Sequence, residues 1–172
     1  DTEWGVPEYD SRAPFEKLVL DGFQAGLSWI TILKKRDNFR EAFDGFKPEL
    51  IADYTDKDVE RLLENAGIIR HRGKIEATIG NAQAWLMIEE AEGFDSYLWK
   101  YVNGKPITNR FETMADIPAQ TPLSLQISKD LKKDRFKFCG PTIVYAFMQA
   151  VGMTNDHKIT CQRHGEVAKL AR

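Results

Sequence analysis

The chain has 172 residues with 24 Lys+Arg against 26 Asp+Glu, a formal charge of −2 and a pI near 6.0, which excludes a nucleic-acid binder that works by bulk positive charge. At 42% hydrophobic and 29% charged it suits one domain with a substantial core, and disorder and fibre are excluded. Two cysteines, Cys139 and Cys161, are too few for a disulfide scaffold, and no apolar run approaches the roughly 20 residues that cross a bilayer, so the expectation is a soluble cytoplasmic protein with no membrane partner.

Helical signals dominate. Ser11 is a candidate N-cap for a helix carrying Phe15, Leu18 and Val19, which ends near Gly22 or Gly26. Ser28 opens a second run, read as one helix from Trp29 to Phe43, with Ile32, Leu33, Arg36 and Phe39 in an i, i+3, i+4, i+7 rhythm. Thr55 and Asp58 resemble a capping box before Val59, Leu62 and Leu63, and that helix stops at Gly67. Lys74 to about Glu90 reads as the longest helix, and Ser96 to Val102 adds an aromatic turn. Residues 103–120, with Gly104, Pro106 and Pro118, read as an irregular excursion. Thr121-Pro122 starts a helix through about Lys133, and Gly140-Pro141 starts a last apolar one that ends at Gly152. The fold class is all-α.

Residues 63–75 join two amphipathic helices through a short turn with Gly67 and Gly73 at its ends, the pattern of a helix-hairpin-helix over about 56–90. The second helix of such a unit points unpaired N–H groups and a positive dipole end at a phosphate, and Arg70, Arg72 and Lys74 add charge there. An ordinary αα-turn with solvated bases fits this segment equally well. Two further basic groups, Lys34-Lys35-Arg36 and the stretch Lys129 to Lys137, favour the DNA reading if the hairpin gives them one common side.

Asp21-Gly22-Phe23-Gln24-Ala25-Gly26-Leu27-Ser28-Trp29 places a carboxylate, two aromatics and an amide where two helices meet, a pocket wall in one reading and core aromatics beside a solvated acid in the other. In the tail, His157 and Cys161 stand four apart, which on a helix supplies half of a tetrahedral zinc site.

Five blocks occur in order: Glu3-Trp4-Gly5-Val6-Pro7, Gln24 to Trp29, Ala66 to Arg72, Phe136 to Gly140 and Asn155-Asp156-His157. Together they resemble the bacterial type I 3-methyladenine DNA glycosylases over nearly the whole chain. The resemblance implies a helix-hairpin-helix glycosylase fold in one alkylpurine glycosylase domain over 1–172, and base excision repair of double-stranded DNA by a monomer. It implies Asp21 as the catalytic carboxylate, at a position where family members carry Glu, and Trp29, Trp4 and Phe23 around the base. Gln24, Gly26 and Leu27 would enter the gap left by the flipped base, and Gly67, Arg70, Arg72, Gly73 and Lys74 would meet the DNA backbone. A structural zinc would use His157 and Cys161; its other two ligands belong in family members to a short stretch, carrying also a pocket Tyr, ahead of the segment matching Asp1.

N3-methylation makes the adenine a cation and a good leaving group, so the enzyme chiefly selects and positions it. Neither a lyase lysine nor an Asp after a Gly-Pro pair is apparent, Gly104-Lys105-Pro106 not being that motif, so hydrolysis without lyase activity is expected. The competing expectation is a non-catalytic lesion-sensing protein on the same fold.

Overall fold

A computed structural model describes residues 2–171. Its α-helices, in chain order, are α1 (Arg12–Gln24), α2 (Trp29–Lys34), α3 (Arg36–Ala42), α4 (Pro48–Ile51), α5 (Asp56–Leu63), α6 (Arg72–Ala91), α7 (Phe94–Trp99), α8 (Pro122–Lys133), α9 (Pro141–Ala150) and α10 (Gln162–Ala168). Two-residue strands β1 (Ile107–Thr108) and β2 (Thr154–Asn155) pair in parallel and tie the irregular excursion to the segment after α9. The all-α expectation holds.

One core joins these elements. Phe15, Leu18 and Phe23 of α1, Phe39 of α3, Ile75 and Trp85 of α6, and Val144 and Phe147 of α9 all belong to it. α1 lies at its centre, against α6 on one side and α9 on the other. Residues 2–11 form a strap across the end of α9: the Glu8 N–H donates to Val151 O at 2.9 Å, and the indole N–H groups of Trp99 and Trp85 donate to Glu8 O and Ser11 O. The strap sits so close that a Cβ on Gly152, at φ +75°, would lie 2.4 Å from Pro7 N. Only glycine fits there.

Local chemistry accounts for most helix starts. Thr55 and Asp58 form the expected capping box, Pro122 and Pro141 occupy first-turn positions of α8 and α9, and His71 caps α6 by accepting from the Lys74 N–H at 3.0 Å. Two expectations need correction. The run 29–43 is two helices, broken at Lys35, whose φ/ψ of −97°/1° leaves the helical region; no Gly or Pro marks the break, and it turns Arg36 toward Glu3 and Glu16. The helix after Thr55 ends at Leu63 and not at Gly67, so the hairpin turn is residues 64–71.

Candidate functional site

A cleft of about 130 Å³ opens between α1, α2, the start of α3 and the strap, comparable to the ~150 Å³ cavity that takes up a benzene ring in an apolar core. Lys17, Leu20 and Asp21 line it from α1, Trp29 and Leu33 from α2, and Trp4 from the strap. The α1 residues fall one helical turn apart, as the 3.6-residue period requires for a shared face.

Asp21 is 3% exposed, and its Oδ2 has no hydrogen-bond partner. Burial pushes its carboxyl pKa up to about 8, and the charge of Lys17 only partly opposes this. An ionised carboxylate stripped of water and partners is among the costliest groups a fold can hold. Apolar walls and one orphaned acceptor make a site for a flat, cationic or hydrogen-donating ring.

The tryptophans are set differently. Trp4 is half-buried, edge-on to the His157 ring at 4.8 Å, and its carbonyl accepts from His157 Nε2–H at 3.0 Å. Trp29, the first residue of α2, is 41% exposed and presents its ring to the cleft. Phe23 does not belong with them. It is 1% exposed, with Phe39 at 4.9 Å and Phe43 at 6.0 Å between ring centroids, because two residues past Asp21 is about 200° around the helix, on the core side.

Above the cleft Arg36 Nη1 donates to Glu3 at 2.8 Å and its Nε to Glu16 at 3.4 Å, while Arg40 Nε donates to Glu16 at 2.7 Å. Arg36 therefore belongs to the rim of the cleft and not to a DNA-facing basic run. It also ties the strap to α3, which fixes the approach of Trp4.

Beside the cleft, half-buried Gln24 ends α1 and the turn that follows carries Gly26 and Leu27 outward. Gly26 takes φ +82° with open space around it, and Leu27 is 40% exposed. Lys74 serves this turn. Its Nζ donates to Phe23 O and Ala25 O, each at 3.0 Å, and the side chain is buried, so it caps the C-terminus of α1 and cannot also reach a phosphate as expected from the sequence.

At the hairpin, α5 and α6 pack together and Gly73 leaves the first turn of α6 uncovered. His71 Nδ1 takes the Lys74 N–H, which leaves the N–H groups of Arg72 and Gly73 for an anion. Gly67 has φ below zero; its restriction is space, since a Cβ would lie 3.2 Å from Asn38 Cβ. Arg70 is exposed. Arg72 is bound to Glu60 at 2.5 Å and Glu76 at 3.4 Å, so its charge is largely balanced. The third basic stretch is divided: Lys137 lies beside Lys74 and Phe138, whereas Lys133 and Arg135 lie near Met87 and Glu92, towards the far end of α6.

A family model described as methyladenine glycosylase matches residues 1–164. The chain belongs to the methyladenine glycosylase family. It is 53% identical over 162 residues to the DNA-3-methyladenine glycosylase 1 of Escherichia coli (strain K12), covering 94% of this chain and 87% of that protein. A crystal structure of 3-methyladenine DNA glycosylase I superposes with a TM-score of 0.92 at 54% identity, covering 94% of this chain and 90% of that one. A second, of a variant in complex with 3-methyladenine, gives a TM-score of 0.92 at 44% identity, covering 94% and 88%.

For a methyladenine glycosylase the zinc expectation meets a different geometry. His157 and Cys161 are not on a shared helix face: His157 lies in irregular chain after β2, and Cys161 is the residue that precedes α10. His157 is buried with its Nε2–H committed to Trp4 O, and Cys161 is half-buried. Among the described residues no group of three or more His, Cys, Asp or Glu side chains could hold a metal ion. Two donors supply half of a tetrahedral site.

Sequence reasoning missed Lys17, Glu16 and Glu3 as cleft residues. The i, i+4 spacing of Lys17 and Asp21 was the available signal for the first; nothing local marks Glu16 of α1 or Glu3 of the strap.

Proposed function

We propose that this methyladenine glycosylase hydrolyses the N-glycosidic bond of 3-methyladenine in alkylated DNA after flipping the nucleotide into the cleft between Trp4 and Trp29. One observation carries the reading: a carboxylate buried without a partner, Asp21, in a cleft walled by two tryptophans. A neutral purine gives that carboxylate no charge to pair with; a methylated one brings a permanent positive charge. Aromatic faces add cation–π attraction, on the order of 2 kcal/mol when desolvated. A cationic base in the cleft favours the ionised form of Asp21, and that negative charge favours the oxocarbenium-like transition state.

In the reaction the bond between the sugar C1′ and the purine N9 breaks, and its electron pair stays with the base, which leaves neutral. Water adds to C1′ and gives up a proton. The base then has no charge to hold it against Asp21. The amine that lines the cleft, Lys17, is held by Ala150 O at 3.1 Å, and we read the enzyme as a hydrolase without lyase activity.

Binding to double-stranded DNA is assigned to the turn Gln24–Leu27, with Leu27 as the wedge that fills the vacated stack, and to the hairpin, through the Arg72 and Gly73 N–H groups together with Arg70. We take the protein to act as a monomer and, because its substrate is DNA, in the cytoplasm. His157 and Cys161 are kept as two donors of a structural zinc; zinc measured in the purified complete protein at about one per chain, lost on Cys161→Ser, supports that, and zinc-free folded protein removes it.

The test of the function is release of free base from methylated duplex by the wild type and by Asp21→Asn. The variant is expected to lose at least about a hundredfold, the scale of one removed transition-state contact. Release by neither sinks the enzyme and leaves a lesion-sensing protein; equal release removes Asp21.

A further inference from the structure

Lys17 lies one turn before Asp21 on α1 and lines the same cleft. Its ammonium is not bonded to the carboxylate. It donates to Ala150 O at 3.1 Å, the last residue of α9, where a helix leaves carbonyls unpaired and its dipole is negative. Asp21 Oδ2 accordingly remains open. Cation and anion share a water-poor cleft, yet the cation is anchored elsewhere.

We propose that Lys17 is a positioning residue for the charge of the base pocket: held off by the end of α9, it keeps Asp21 able to ionise without occupying the oxygens that a cationic base must reach. This rests on the reading of Asp21 as the group that meets the base. A direct Lys17–Asp21 ion pair would ionise the acid more fully but would have to be broken for each substrate.

The other charges near α1 do not substitute for Lys17. Arg36, on α3, is spent on Glu3 of the strap and Glu16 of α1. Lys74, on α6, donates to the carbonyls of Phe23 and Ala25. α9 contributes no charged side chain, α2 contributes Lys34 in an exposed position, and Asp44, in the turn after α3, accepts from the Tyr54 hydroxyl. Burial lowers the Lys17 pKa, against the charges of Glu8 and Glu3 of the strap and of Asp21 and with that of Arg36; burial raises that of Asp21, and Lys17 is the charge that pulls it back.

Lys17 also repels a cationic base, and the two effects separate with pH. Below the Asp21 midpoint, loss of Lys17 leaves the acid more fully protonated and weakens the enzyme. Above it, Asp21 is ionised in either case, and only relief of repulsion remains. Lys17→Gln, which keeps a donor for Ala150 O, is therefore expected to lose about threefold in base release at pH 7, to match or exceed the wild type near pH 9, and to move the midpoint up by about half a unit. Lys17→Arg should follow the wild type.

The experiment measures kcat/KM for base release from methylated duplex between pH 6 and 9 for the wild type, Lys17→Gln, Lys17→Arg, Asp21→Asn and the Lys17→Gln/Asp21→Asn double variant. Thermal unfolding confirms that each is folded, and carbon NMR of labelled aspartate carboxyls reads the Asp21 midpoint without reference to activity. Crossing profiles, a raised midpoint and no further effect of Lys17→Gln in the Asp21→Asn background support the inference. A uniform loss at every pH, an unmoved midpoint, or a shift that persists without Asp21 overturns it. If Asp21→Asn itself behaves as wild type, the reading of Asp21 has failed instead, and the two failures are distinct.

Discussion

Two aspartates are buried to nearly the same degree, Asp156 at 1% and Asp21 at 3% exposed, and the fold treats them in opposite ways. Asp156 accepts from Asn109 Nδ2 and Thr154 Oγ1, each at 2.7 Å, from Gln149 Nε2 at 3.0 Å and from the Tyr145 hydroxyl. Those donors come from the excursion, β2 and α9, so one carboxylate ties three segments together. Asp21 has an oxygen with no donor at all. A buried acid surrounded by donors stabilises its surroundings; one left without them costs stability, and persists where a ligand completes it.

The contrast is tested most severely at Asp156. Asp156→Ala leaves the buried Tyr145 and Thr154 hydroxyls without this acceptor, and urea denaturation should show a loss of about 3–5 kcal/mol. A loss below about 1 kcal/mol would mean that the network is not structural.

Asp21→Asn should do the reverse. The folded-state pKa of about 8 lies above the ordinary aspartate value of 3.8, so the native state holds a proton that the unfolded chain releases. Stability from this group is complete below about pH 4 and is lost as pH rises towards 8, at up to about 1.4 kcal/mol per unit. Asparagine does not titrate. The variant should therefore be more stable than the wild type by on the order of 2–4 kcal/mol at pH 7 and by almost nothing near pH 3.5, while losing base release; a stabilising active-site substitution is the usual sign of strain held for function. An equal difference at both pH values would place the stabilisation elsewhere.

What was legible in the sequence divides along the same line. Helix starts were readable because caps are local: Thr55 with Asp58, and proline after Thr121 and after Gly140, act within four residues. The pocket was legible as a set of residue types, Asp21 with Trp29 and Trp4, while its geometry was not. Phe23 reads as an equal of Trp29 until the helix phase turns it inward. Lys74 and Arg36 read as DNA contacts because a basic side chain announces charge and not its destination; one is bound by the carbonyls that end α1, the other by Glu3 and Glu16, all distant in sequence. The same limit applies to His157 and Cys161, whose spacing suggested a helix face that the backbone does not form.

Between the tryptophans the contrast becomes one of anchoring. Trp4 is fixed by His157 and the strap, so its removal would disturb fold and site together. Trp29, 41% exposed, has little structural work. Trp29→Leu should preserve the unfolding midpoint and raise KM for methylated duplex about tenfold to thirtyfold, the equivalent of roughly 1.4–2 kcal/mol of lost cation–π attraction. A stability loss without a KM change would return Trp29 to the core.

The smallest effect carries the paired-against-unpaired contrast to the protein surface. Arg72 is already satisfied by Glu60 and Glu76, whereas Arg70, exposed in the hairpin turn, forms no ion pair among the described residues. A phosphate binding at Arg72 must compete with two carboxylates; at Arg70 it displaces only water and counterions. Arg70→Gln should lower affinity for undamaged and damaged duplex alike and reduce the slope of log K against log salt by about one. Arg72→Gln should change the slope by less, because the protein gives up two internal pairs to gain one phosphate. Fluorescence anisotropy at several salt concentrations resolves the two, and a larger slope change for Arg72 would show that DNA pulls it away from its glutamates.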